Sequence, residues 1–401
     1  MTVVEERRPG ADVADEVAGW LAESWDPDLE VSAWWARVAE AGWAAPHFPV
    51  SRFGRGLSRR AQRTVRSVFK AHGALRPPGG LGLLMAAPTI LTHGTPDQQD
   101  RLIPPILDGR VGWCQLFSEP GAGSDLAGLT TRAVRDGDRW VVTGQKVWSS
   151  YAHQAEYGML LARTDLEVPK HAGISWFAFP LDQPGVEVRP LREMTGDAVF
   201  NEVFIDGAVV DHTDLIGGEG NGWTVAQTTL HFERTGIGAG GVHAAFPDPG
   251  PKGGMLGRRA GDCALIEPPN DKLTLGFDDV LHLARRVGRT HDPVVRQHLA
   301  RLHTHSRLGL WNAQRGKAEA RVGGGAEVAG IGKLSQTRIV KSAASLGTEL
   351  LGPAGTLAGT DAPDGGVASM AMAFSAASSI YGGDILPCFR ISALFLRPYR
   401  D

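Results

Sequence analysis

Trp113-Cys114-Gln115-Leu116-Phe117-Ser118-Glu119-Pro120-Gly121-Ala122-Gly123-Ser124-Asp125 is the stretch on which the reading of the fold turns. An apolar run stops at a Pro-Gly turn, and a loop of small residues then offers backbone N–H groups, a hydroxyl and a carboxylate. The small residues flanking Ala122 leave room for a bulky planar or phosphorylated ligand to approach the main chain. By itself a Gly-Ala-Gly-Ser loop is more often a plain turn. A second loop, Gly144-Gln145-Lys146-Val147-Trp148-Ser149-Ser150, follows at the end of a strand-like run.

Working outward, residues 13–110 read as helices anchored by Trp20, Trp25, Trp34, Trp35 and Trp43. Thr95-Pro96-Asp97-Gln98-Gln99 reads as a helix start, with a hydroxyl N-cap followed by proline at the first helical position. From residue 111 the period changes. Arg139–Thr143, Tyr157–Ala162, Ile174–Phe179 and Val199–Phe204 are short apolar or alternating runs bounded by turns such as Asp136-Gly137-Asp138, which suits an antiparallel β domain. After Gly222 the helical period returns, interrupted by a Gly/Pro-rich stretch, Phe246–Pro269, that reads as a surface loop. The expected organisation is α+β: an N-terminal helical domain (1–110), a middle antiparallel β-barrel or sandwich (111–221) and a C-terminal helical bundle (222–401).

The chain has 401 residues, 42% apolar and 21% charged, with a formal net charge of −3, which gives no electrostatic case for nucleic acid or an anionic membrane. Three cysteines, Cys114, Cys263 and Cys388, are too scattered for a disulfide framework or a zinc site. The thirteen histidines form no His-Glu-x-x-His pattern, so no metal is expected. No apolar run reaches membrane-spanning length and the N-terminus lacks a signal-like apolar region, so the expected location is the cytoplasm.

Together the two loops resemble the flavin-contacting signature of the acyl-CoA dehydrogenase family. The likeness extends to Gly42-Trp43-Ala44-Ala45-Pro46, Gly94–Gln99, Glu193-Met194-Thr195-Gly196 and Gly217–Trp223, and is strongest with the actinobacterial fatty-acid and steroid side-chain group. The resemblance implies FAD as cofactor and α,β-dehydrogenation of an acyl-CoA to a trans-2-enoyl-CoA, with a carboxylate taking the α-proton and flavin N5 the β-hydride. It places Gln115, Phe117, Ser118, Gly123, Trp148 and Ser150 at the flavin, and Ser124 and Arg234 at the substrate. Family members hold FAD partly across subunits. On that basis Arg286, Glu349 and Gly352 are assigned to the cofactor, and a homodimer or homotetramer is expected, with an electron-transfer flavoprotein as electron acceptor.

Two departures stand out. The position just before the C-terminal glycine, where many members carry the base, holds Gly382. An alternative comes from the helix whose face repeats Trp223, Ala226, Leu230, Glu233, Ile237, Gly240 and Ala244 at three- and four-residue spacing. Glu233 is the one acid on that stripe, and it aligns with the family's second base position. Asp384 competes for the role, although a helix cap suits it better. Ordinary structural pairing of Glu233 stays open, as does solvated charge for Arg286. The C-terminal segment Asp384–Ser392 also lacks the acid and amide residues that follow in relatives. Two other functions therefore remain: a biosynthetic flavoprotein acting on a carrier-protein thioester (or an oxidase or monooxygenase), and a non-catalytic subunit of a heteromeric dehydrogenase.

Overall fold

The computed structural model describes residues 10–240, 249–266, 274–320, 326–359 and 361–381. Gly382 and Asp384 lie outside them. Two compact units are present, one spanning the described residues up to 191 and from 198 to 266, the other 192–197 and the described residues from 274 onward. Among the described residues no helix is long and apolar enough to cross a membrane.

The first unit opens with helices α1 (Gly10–Ser24), α2 (Val31–Glu40), α3 (Arg59–Ala71), α4 (Ala87–His93), α5 (Pro96–Leu102) and α6 (Pro104–Leu107). Trp34, Trp35 and Trp43 are buried, with Trp20 and Trp25 packed against them, so the tryptophan anchors expected from the sequence form the core. The Trp34 and Trp35 indoles donate to the carbonyls of Leu75 (2.7 Å) and Arg76 (2.9 Å), which removes the cost of burying a bare N–H. At α5 the Thr95 cap and Pro96 start form as read, and Gln98 completes a capping box: Thr95 accepts from the Gln98 amide (3.3 Å) and Gln98 accepts from the Thr95 amide (2.9 Å).

The middle segment is one sheet of β1 (Trp113–Leu116), β2 (Arg132–Asp136), β3 (Arg139–Lys146), β4 (Tyr157–Arg163), β5 (Ile174–Pro180), β6 (Val186–Pro190), β7 (Asn201–Asp211) and β8 (Leu215–Ile216). Its path runs β6-β7-β3-β2-β4-β5-β8, mostly antiparallel, with β1 pairing parallel to β4. The β2–β3 hairpin closes at Asp136↔Arg139 around Gly137, whose φ of +59° favours glycine. β4 and β5 are buried on both faces, which explains their unbroken apolar sequences. Met159, Leu161, Trp176 and Ala178 join the helical core, whereas Leu160, Ala162, Phe177 and Phe179 join a second core inside the sheet.

Helix α7 (Gly222–Gly240) belongs to this same unit and packs on α4 and β5. Gly222 permits that approach, because a Cβ there would lie 2.5 Å from the Ser175 backbone. The stretch expected to be a surface loop is instead packed where it is described. Met255, Ala260 and Cys263 are buried in the helical core, around the short helix α8 (Ala260–Ala264). Its carbonyls and amides pair with residues 27–32, as in Val31 N–H to Arg258 O (2.9 Å) and Ala260 N–H to Leu29 O (2.8 Å). The glycines and prolines marked a break in periodicity, but the neighbouring backbone supplied the missing hydrogen bonds. The second unit contains α9 (Phe277–Arg286), α10 (Pro293–Ala320), α11 (Ala326–Leu351) and α12 (Val367–Tyr381) around a core of Val280, Leu302, Ala343 and Ala371.

Candidate active site

Strand β1 builds the site by simple alternation. Cys114 and Leu116 enter the core inside the sheet, while Trp113 and Phe117 enter the helical core. Gln115 shares the side of Trp113 and Phe117, the side of the helical layer to which α7 also belongs. There its Nε2 donates to Glu233 Oε2 at 3.4 Å, across 118 residues of sequence. Glu233 is half-buried on α7, one turn beyond the buried Thr229 and two beyond the buried Ala226. Trp223 and Leu230 flank that ridge and are half-buried. Small residues dominate the ridge, and Thr229 shares a hydrogen bond with Thr89 of α4 (3.1 Å), holding α7 close. The expected role for Gln115 was cofactor binding; its closeness to Glu233 had no signal in the sequence.

After β1 the chain turns at Pro120-Gly121, closed by Glu119 N–H to Ala122 O (3.0 Å) and Ala122 N–H to Glu119 O (3.1 Å). Gly123 and Ser124 are exposed beyond it, and added Cβ atoms at Gly121 and Gly123 would meet nothing within 4 Å. The loop is open toward solvent. The next residue, Asp125, pairs with Lys170 (2.7 Å). At the end of β3, Val147 N–H donates to Ser118 O (3.0 Å), so the two quoted loops are hydrogen-bonded neighbours. Trp148 is 54% exposed and adopts φ +61°, a region bulky L-residues avoid. It is therefore no core residue, and its indole meets the Phe200 ring in a T-shaped contact at 5.8 Å. Ser149 is fully buried, and among the described residues its Oγ has no hydrogen-bond partner. Ser150 is half-buried.

Beneath these loops lies a buried ion pair that the sequence reading did not single out. Lys146 is 0% exposed and its Nζ reaches Glu119 Oε1 at 2.9 Å and Phe117 O at 3.1 Å. Glu119, 6% exposed, also accepts from Thr130 N–H (2.7 Å), Thr130 Oγ1 (2.8 Å) and Thr131 N–H (2.9 Å). Burial works against the Glu119 charge, but the Lys146 ammonium and these donors outweigh it and hold the carboxyl at about 2. Burial draws Lys146 down to about 8, with Glu119 opposing, so both groups are charged at neutral pH.

In the second unit, Arg286 makes a two-pronged ion pair with Asp364, one contact at 2.6 Å. Glu349 pairs with His298 Nδ1 (3.1 Å), and its carbonyl accepts from Arg289 (3.3 Å). Gly352 follows α11 with φ +57° and open space around it. Arg234 contributes its helical backbone; its side chain lies outside the described residues.

An open loop of exposed small residues, an exposed indole on a left-handed turn and an unpartnered buried hydroxyl beside it fit a planar, hydrogen-bonding cofactor such as a flavin. The model for the acyl-CoA dehydrogenase N-terminal domain matches residues 10–110, and that for the middle domain matches 114–207. The chain is similar to acyl-CoA dehydrogenase IpdE1 of Mycobacterium tuberculosis, 36% identical over 306 residues and covering 72% of each chain. It is also 47% identical to acyl-CoA dehydrogenase FadE34 of the same organism over 239 residues, covering 58% of this chain but only 33% of that longer relative. Among solved structures, the Tcur3481-Tcur3483 steroid ACAD superposes with a TM-score of 0.71 at 25% identity, covering 99% of this chain and 100% of the other. The ChsE4-ChsE5 complex from Mycobacterium tuberculosis shares the fold, with a TM-score of 0.67 at 24% identity and full coverage of both.

Proposed function

Because the chain belongs to the acyl-CoA dehydrogenase family, a family of CH–CH oxidoreductases, we propose that it oxidises an acyl thioester with FAD bound at the Ser118 and Trp148 loops. The observation that carries the reading is the meeting of Gln115, on the strand that leads into the signature loop, with Glu233 on α7. Glu233 takes the α-proton. Its half-buried carboxylate sits beside an amide donor that orients it without neutralising it, which suits a general base. FAD supplies the hydride acceptor when bound. Trp148 offers an apolar face and Ser118 and Ser150 offer hydroxyls to it, while Gln115 and Gly123 line the approach. Ser124 and Arg234 serve the thioester arm, and Arg286, Glu349 and Gly352 the distal part of a partner subunit's cofactor, where Arg286 would have to exchange Asp364 for phosphate.

The acyl group is bulky and CoA-linked, a reading supported by the steroid ACAD relative and by the small residues Gly236, Gly238 and Gly240 on α7. Electrons leave to an electron-transfer flavoprotein, and the assembly is a dimer or tetramer. Anaerobic addition of a panel of acyl-CoAs to the purified yellow protein tests this. Bleaching by one thioester in the parent, and none in Glu233→Gln, is the expected result; a flavin that no thioester reduces sinks it. Gly382 at the family's usual base position favours a second reading, a non-catalytic subunit that completes the site of an active homologue. That subunit would be colourless alone and take up FAD when the partner is added.

A further inference from the structure

The buried Glu119–Lys146 pair has no task in proton transfer, yet it lies where the two loops of the site are joined. Lys146 closes β3, and its ammonium crosses to the carbonyl of Phe117 and the carboxylate of Glu119 on the chain leaving β1. Glu119 in turn holds the Thr130–Thr131 segment and forms the base of the Pro120-Gly121 turn. Immediately beyond Lys146, Val147 is fixed to Ser118 O, and Ser149 pairs with Asn201 in both directions (3.0 and 3.1 Å). Trp148 is thus clamped between two anchored residues in a backbone shape it would not choose. A buried ion pair adds little net stability compared with apolar groups of the same size, because desolvation offsets attraction. What it does add is a defined distance between two segments.

We propose that the Glu119–Lys146 pair is a positioning device that sets the Ser118 loop against the Trp148 turn, and so shapes the seat of the cofactor. The inference rests on the flavin reading above. Its test is the double variant Glu119→Gln/Lys146→Met, which removes both charges together and leaves neither stranded. In the FAD-free chain, peptides covering 117–123 and 147–151 are expected to exchange amide hydrogens at least about tenfold faster than in the parent, with β3 unchanged. FAD is expected to bind at least about tenfold more weakly, with altered shoulders on its visible band, while the melting temperature stays within about 5 °C.

Parental exchange rates, or parental FAD affinity, in the double variant overturn the inference and leave the flavin reading standing. A parent chain that takes up no FAD, alone or with its partner subunit, overturns both. Thr130→Val, an exposed position that loses only the hydroxyl donor to Glu119, guards against a double variant that does not fold. It is expected to weaken FAD by roughly two- to fivefold, in line with one charge-assisted hydrogen bond at a partly solvated site. Unchanged affinity there, with the double variant unfolded, also overturns the inference.

Discussion

Trp148 combines an indole in solvent with a left-handed backbone, and neither property helps the fold. A non-glycine residue in that region costs on the order of 1 kcal/mol, and an exposed aromatic recovers little by burial. Trp148→Gly is therefore expected to melt no lower than the parent while binding FAD at least about tenfold more weakly, as judged from calorimetry and flavin titration. A fall in melting temperature with unchanged FAD affinity would make Trp148 a structural residue after all. At Glu233 the expectation is different. Glu233→Gln keeps shape and polarity but not basicity, so flavin reduction by substrate should slow by roughly 10²- to 10⁴-fold, with FAD still bound. Gln115→Leu removes a long hydrogen bond to that carboxylate, and about a tenfold slowing is expected, measured by stopped-flow absorbance. These residues differed in how far the sequence revealed them. Glu233 stood out as the one acid on an apolar stripe, whereas Gln115 was assigned to the cofactor by the family resemblance, and its meeting with Glu233 left no signal because that partner lies on a distant helix.

Strand β3 and its neighbours show how a buried charge ties the stability of an element to pH. Glu119 has a folded-state value of about 2 against an ordinary 4.5, so between those values the unfolded chain binds more protons than the folded one. The Glu119 contribution is complete above about pH 4.5 and lost as pH falls toward 2, while Lys146, drawn down to about 8 by burial, acts in the opposite sense, so the pair adds little net stability at neutral pH. Asp214 and Glu156, which burial pushes upward, act in the opposite sense and gain stability on protonation. Urea melts at decreasing pH should show a shallower loss of stability in the Glu119→Gln/Lys146→Met variant than in the parent; parallel curves would contradict the assigned shift. Helix α7 depends on closeness instead of charge. A methyl at Gly222 would overlap Ser175, so Gly222→Ala should destabilise the fold by about 1–3 kcal/mol and depress activity by shifting Glu233. The strands themselves were legible, since β4 and β5 are continuous apolar runs and β2–β3 a Gly-centred hairpin. Lys146 was not, because a lysine at a strand end ordinarily reads as a solvated charge and only the folded loop reveals its burial.

At the scale of the whole chain, the succession of helices, sheet and helices was visible in the change of period, and the family likeness gave that order an architecture. The segment around residues 249–266 escaped, because its stability comes from backbone pairing with residues 27–32 and not from any periodicity of its own. Replacing 251–265 by a short flexible linker would uncover Met255, Ala260 and Cys263 positions in the core and unpair the Val31 and Ser32 amides. An aggregated product, or a melting temperature lower by more than about 10 °C, is expected; a soluble chain with parental melting would show that the segment is dispensable. The alternation along β1 has a further consequence for recombination among relatives. Two cores share this one strand, Trp113 and Phe117 belonging to the helices, Cys114 and Leu116 to the sheet. A chimera spliced at residue 111 would import a strand whose odd positions were fitted to another protein's helices, and the natural crossover points of this fold must therefore lie away from β1.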